Sequence, residues 1–193
     1  MKILSYPHPV LKYKCKPIQK IDQGLRDIVV EMFQTMYDTS GVGLAANQVG
    51  LPYCLFVMNA TGDREKKEEE YVFINPVILK KSGKAKDNEG CLSFPGLHAD
   101  VIRAESIVVE SIALNGEVQH FQWEGRPARI VQHETDHLNG VGFIDRLSVT
   151  AKLEIKNELE DLKTVFAGDQ QRGFIPSDSE IFRKLKELEQ LRC

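Results

Sequence analysis

The chain has 193 residues, of which 42% are hydrophobic and 27% charged, and its net charge is −3. That is the size and balance of one globular domain with a core of its own. It excludes bulk attraction to nucleic acid, and no sequence-specific nucleic-acid contact is expected; no apolar run approaches the ~20 residues that cross a bilayer, so no membrane span is expected either.

In chain order, Pro7, Pro9 and Pro17 make residues 1–20 extended and turn-rich. Asp22 is placed to cap a helix whose apolar stripe is Leu25, Ile28, Val29, Met32, Phe33 and Met36. Ser40-Gly41-Val42-Gly43 ends that helix. Strands are expected at Tyr53–Asn59, Tyr71–Leu79 and Ser106–Leu114, with the charge run Arg64 to Glu70 as a solvated loop between the first two. Asn115-Gly116 predicts a type I′ hairpin into a strand Glu117–Trp123. Pro127 suits the first turn of a helix running to about Leu138, stopped by Asn139-Gly140. Ser148 could cap a helix from Val149 to about Thr164 with Leu153, Leu159 and Leu162 on one side. Residues 168–179 read as a loop, and a last short helix runs from Asp178 or Ser179 to near Leu191. Strands and helices do not alternate as βαβ units, so the fold class is α+β.

Chemistry concentrates in three stretches. His133-Glu134-Thr135-Asp136-His137 lies on a predicted helix, where residues four apart share a face; His133 and His137 can hold one ion, with Glu134 one step round, in reach of a water. In Glu89-Gly90-Cys91-Leu92-Ser93, a cysteine beside a glycine sits in a loop that could deliver a thiolate. Two imidazoles and a thiolate leave a fourth position open, as at a catalytic metal. His98 and His120 are substitutes for Cys91 as third ligand. Cys54 sits in an apolar run and reads as a buried small hydrophobe. Cys15 and Cys193 have no chemical context, the four cysteines follow no disulfide pattern, and the N-terminus carries no secretion signal. A reducing compartment follows. The third stretch, Gly41 to Gln48, lacks the lysine and hydroxyl of a phosphate loop. It is either a helix end followed by tight packing or a loop that brings backbone amides and Gln48 to a peptide-like ligand.

Together these stretches resemble the peptide deformylase family. GxGLAAxQ is matched by Gly41, Gly43, Leu44, Ala45, Ala46 and Gln48; EGCLS by Glu89 to Ser93; and QHExDH by Gln132, His133, Glu134, Asp136 and His137, in the same order. The resemblance implies mixed strands packed around a central helix bearing HExxH, a catalytic domain over residues 1–164 and a C-terminal tail at 165–193. It implies removal of formyl from N-formylmethionyl peptides and nascent chains, with one divalent ion, Fe²⁺ first and Zn²⁺, Ni²⁺ or Co²⁺ as alternatives, held by Cys91, His133 and His137. Glu134 would be the acid–base, with Gln48 and the Leu92 N–H facing the oxyanion. Val42, Gly43, Glu89, Gly90, Arg129 and Ile130 would bind substrate. A bacterial cytoplasm and contact with the ribosome belong to the same picture, the more basic last helix being the candidate for that contact. His98 stands where many members have arginine or tyrosine. The rival readings are a zinc endopeptidase, an inactive binding protein and a structural metal domain. The first lacks an acid or histidine third ligand in a clear position, the second is disfavoured by the complete residue set, and the third usually fills all four positions.

Overall fold

The computed structural model describes residues 1–193. Helix α1, Gln23–Asp38, begins at Asp22, whose carboxylate accepts the Leu25 N–H at 2.8 Å. Its stripe of Leu25, Val29, Met32, Phe33 and Met36 is buried. The chain then passes through the short strand β1, Gly43–Ala45, a 3₁₀ turn at Ala46–Val49 and strand β2, Leu55–Met58. Strands β3, Tyr71–Ser82, β6, Ser106–Ile112, and β7, Val118–Glu124, complete an antiparallel sheet ordered β1-β2-β3-β6-β7. Between β3 and β6 a separate antiparallel ribbon forms from β4, Ala85–Cys91, and β5, Phe94–Arg103.

The period-2 side-chain alternation of strands explains the layering. Leu55 and Val57 of β2 join α1 in one cluster; Phe56 and Met58 turn to the opposite face, where they meet Ala128, Ile130 and Val131 of helix α2, Gly125–Leu138. All four β2 residues are therefore buried, as expected of a strand covered on both sides. Phe56 stacks on Phe73 with centroids 4.5 Å apart. Helix α2 thus lies on the sheet with one face and turns its other face, which carries the histidines, to the β4–β5 ribbon.

Four expectations are corrected. The ribbon was not anticipated: apart from Ala85, residues 85–90 are charged, amide or glycine, with no apolar alternation, and Cys91 ends a strand rather than sitting in a loop. The hairpin at Asn115-Gly116 forms, but only Gly116 has positive φ. Gly116 N–H donates to Ala113 O and Ala113 N–H to Glu117 O, a longer turn with glycine in the left-handed position instead of type I′. The helix expected from Val149 to Thr164 is two, α3, Val149–Glu154, and α4, Lys156–Gln171. The break falls at Ile155, whose side chain is buried beside Phe143 and Ile144; as a result Leu159 and Leu162 pack inward while Leu153 faces solvent. Finally, α4 runs on to Gln171 and shortens the expected loop.

Helix α5, Asp178–Arg192, is capped by Ser177. It folds back on the N-terminal segment: Ile181 and Leu185 bury against Val10, Leu188 O accepts the Tyr53 hydroxyl at 3.0 Å, and Arg192 reaches Asp22 at 3.2 Å. No helix is long and apolar enough to cross a membrane. Since Leu185 is only 2% exposed, Leu185→Ala is expected to cost about 2–4 kcal/mol through lost transfer energy and the cavity left behind. Urea unfolding measures this, and an unchanged midpoint would mean that α5 is not packed as described.

Candidate active site

Helix periodicity sets the centre of the site. His133 and His137 project from one face of α2 with ring centroids 5.0 Å apart. Strand β4 ends so that the Cys91 thiol lies 3.2 Å from His137 Nε2. The ligating atoms of Cys91, His133 and His137 all fall within 4.8 Å of one another, the spacing of groups that share one small ion. Two nitrogens and a sulfur suit a first-row divalent metal. The residues thus fit the metal that the sequence resemblance implies.

A buried ion network aligns the two elements. The Glu89 carboxylate accepts from Arg103 Nε at 2.5 Å and Nη2 at 2.8 Å, from Arg129 Nη1 at 2.5 Å and from His133 Nδ1 at 3.0 Å. The last bond turns His133 Nε2 toward the ligand cluster, as the outer partners of metal-binding histidines do. Arg103 also donates to Asp136 at 2.8 Å, and Asp136 accepts from Arg146. On the neighbouring turn, the Gln132 amide closes both the N–H and the carbonyl of Ala104. Arg103 was missed from sequence because the strand carrying it was missed. Once β5 is drawn, Arg103 follows Val101 by two residues and shares its inward face.

Burial shapes the charges. Burial pushes the Glu134 carboxyl up to about 7, and Glu134 Oε2 makes no hydrogen bond within the protein. A carboxylate in this state can both take and return a proton near neutral pH. Burial, with the positive charges of His133 and Arg103, holds His137 well below the usual histidine range, which keeps it neutral, the state an imidazole needs to hold an ion. Burial also works to raise Glu89, but the hydrogen bonds from His133 and Arg103 outweigh it and hold the pKa at about 2.

A cleft of about 620 Å³ opens over this centre. Val42, Gly43, Gln48, Glu89, Gly90, Cys91, Leu92, Arg129, Ile130, His133 and Glu134 line it, while His137 lies beneath, 1% exposed. Gln48 Oε1 accepts the Ala45 N–H at 2.9 Å, which aims its Nε2 at Ser93 Oγ, 3.2 Å away, and toward Cys91. Leu92 sits in the turn between β4 and β5. The Val42 carbonyl is taken by Asn59 N–H, so only its N–H is available to a ligand. Two glycines keep the cleft open: a Cβ on Gly43 would lie 2.5 Å from Glu134 Oε1, and one on Gly90 would lie 2.5 Å from His98 Nε2. His98 stands at the rim. His120 is exposed on β7 beside Glu110, far from the ligand cluster. Asn47, also unanticipated, donates to the His137 carbonyl at 2.5 Å and ties the 3₁₀ turn to α2.

Comparison with known proteins agrees with this geometry. The polypeptide deformylase family model matches residues 1–152. A peptide deformylase of Rhodopirellula baltica is 38% identical over 98% of this chain and 94% of its own. One of Neisseria meningitidis is 42% identical over 83% of this chain and 94% of its own. The crystal structure of Arabidopsis thaliana peptide deformylase 1B with an inhibitor superposes with a TM-score of 0.85 at 40% identity, covering 92% of this chain and 97% of the other.

Removing Arg103 would take from the buried Glu89 its two guanidinium bonds, leaving it Arg129 and His133, and would leave Asp136 with Arg146 alone. Arg103→Leu is therefore expected to cost about 3–5 kcal/mol in urea unfolding; a loss under about 1 kcal/mol would show that the network carries little. Acid should have a matching effect. Glu89 has a folded pKa of about 2, below its ordinary 4.5, so its contribution is present above pH 4.5 and is lost as the pH falls toward 2. Melting temperature should drop over that window in the parent and drop less steeply in Glu89→Gln, whereas parallel curves would contradict the assignment.

Proposed function

The chain belongs to the peptide deformylase family, and from that premise we infer that it is a metal-dependent hydrolase that removes the formyl group from the N-terminal formylmethionine of new polypeptides and releases formate. The observation that carries the reading is the convergence of Cys91, His133 and His137 beside Glu134, a buried carboxylate with a free oxygen.

Cys91, His133 and His137 would hold the ion. Fe²⁺ is the metal we propose, with Zn²⁺, Ni²⁺ or Co²⁺ able to use the same donors. When bound, a divalent ion supplies Lewis acidity, which lets a water ionise near neutral pH. Glu134 takes the proton of the attacking water, its raised pKa suiting it to hold that proton briefly and deliver it to the leaving amine. The Gln48 amide, held by Ala45, and the Leu92 N–H would face the oxygen that gains charge as the formyl carbon becomes tetrahedral.

Substrate placement follows from two free strand edges. Strand β1 is the outer strand of its sheet and β4 pairs only with β5, so an extended peptide can lie between Val42 and Gly90 and pair with backbone on either side. The methionine side chain would enter toward Glu89, Arg129 and Ile130. There the Glu89–Arg129 pair is mutually neutralised and the arginine stem offers apolar surface. Gly43 has no side chain to stand between that chain and Glu134. We place the enzyme where formylated chains are made, a bacterial cytoplasm, and expect it to meet them at the ribosome. The last helix offers little to hold RNA, since of its four basic residues Arg183, Lys186 and Arg192 are each already paired with an acid and only Lys184 is not.

Glu134→Ala should retain its metal and lose about 10²–10⁴-fold in the rate of formate release from formyl-Met-Ala-Ser. Metal content and formate are measured on one sample. A variant with near-parental turnover would remove Glu134 from the chemistry.

A further inference from the structure

A second cleft, of about 700 Å³, adjoins the catalytic one. Its floor is one face of the β4–β5 ribbon, where Asn88 pairs with Asp100 and Lys86 with Ile102. Its wall is α3, including Thr150 and Glu154. Asn88 and His98 line both clefts, so the two form one continuous groove.

The direction of β4 says what would enter it. The strand runs toward Cys91, so a peptide whose N-terminus lies at Cys91 and which follows the free edge of β4 runs antiparallel to it. Such a chain passes Gly90 first and, turning from the edge onto the face of the ribbon at Asn88 and His98, which line both clefts, leaves the catalytic cleft for the second one. His98, packed against Gly90, is the ridge it crosses. We propose that the second cleft is an extended binding site for the substrate polypeptide, holding the residues that follow its first three. This rests on the deformylase reading given above.

Dimensions and chemistry suit that occupant. From His98 to Ile102 the ribbon offers about 13 Å at roughly 3.3 Å per residue, enough for about four residues of extended chain. The two basic residues of the groove are already paired, Lys86 with Asp100 at 2.8 Å and Arg146 with Asp136. Ile102, 62% exposed, gives the floor an apolar surface. A groove without a dominant charge and with apolar contact accepts chains of many sequences, which is what an enzyme acting on newly made polypeptides at large requires.

The test compares formyl-Met-Ala-Ser with a formylated heptapeptide that begins with the same three residues, each followed by formate release. The heptapeptide should show a KM about tenfold lower at similar kcat, equivalent to about 1.4 kcal/mol of added contact. Thr150→Trp, projecting from the wall, and Ile102→Asp, on the floor, should each erase that gain and leave the tripeptide constants unchanged. Equal KM values for the two peptides in the parent would overturn the proposal, as would a gain that survives both substitutions or a loss that falls equally on both peptides. No formate from either peptide would overturn the deformylase reading and this inference with it.

Discussion

The buried pairing of Glu89 with Arg103 is the interaction on which the rest of the structure depends. The three residues that could hold an ion come from two elements whose apolar side chains fall in different clusters: α2 carries His133 and His137, and β4 carries Cys91. A ribbon whose β4 strand is mostly polar cannot be seated against a helix by the hydrophobic effect alone. Arg103 joins Glu89 of β4 to Asp136 of α2, and Glu89 in turn holds the His133 ring. Placing such charges in the interior is costly unless every one is partnered, and here each is. The arrangement sets register more than it adds stability: sliding β4 by one residue would turn Glu89 to the opposite face and leave Arg103 with Asp136 alone.

The cleft is then made as much by missing side chains as by present ones. Gly43 and Gly90 sit where the two strand edges face each other, and a Cβ at either would meet Glu134 or His98. The edges themselves are ordinarily a hazard, since unpaired backbone invites other chains. Here the hazard is confined to a groove, and in the placement proposed for the substrate it is put to use by an extended chain. Far from the cleft, α5 clasps the N-terminal segment through Tyr53, Asp22 and Val10, and so braces the region around β2 against which α1 and the site-bearing layer are packed.

Much of this could be read from the sequence, and for physical reasons. The α1 stripe and the α2 helix have a clean 3.6-residue period, and the i, i+4 histidines announce a shared face whatever surrounds them. The strand pairs β2–β3 and β6–β7 carry enough β-branched and aromatic residues to be seen. The β4–β5 ribbon was invisible because its inward positions on β4 are filled by partners in ion pairs, Glu89 above all, and polarity rules score a buried charge as exposed. Arg103 and Asn47 were lost for the same reason: their value lies in contacts 33 and 90 residues away in the chain. The break at Ile155 and the left-handed Gly116 are local decisions made by tertiary packing and turn geometry, which periodicity does not register.

The most direct test of the account is X-ray absorption at the metal edge on anaerobically purified protein. One sulfur scatterer at about 2.3 Å and nitrogen scatterers at about 2.0–2.1 Å are expected, with the sulfur lost in Cys91→Ser. A first shell without sulfur would contradict it, because the ribbon would then not deliver its thiolate to the histidines of α2.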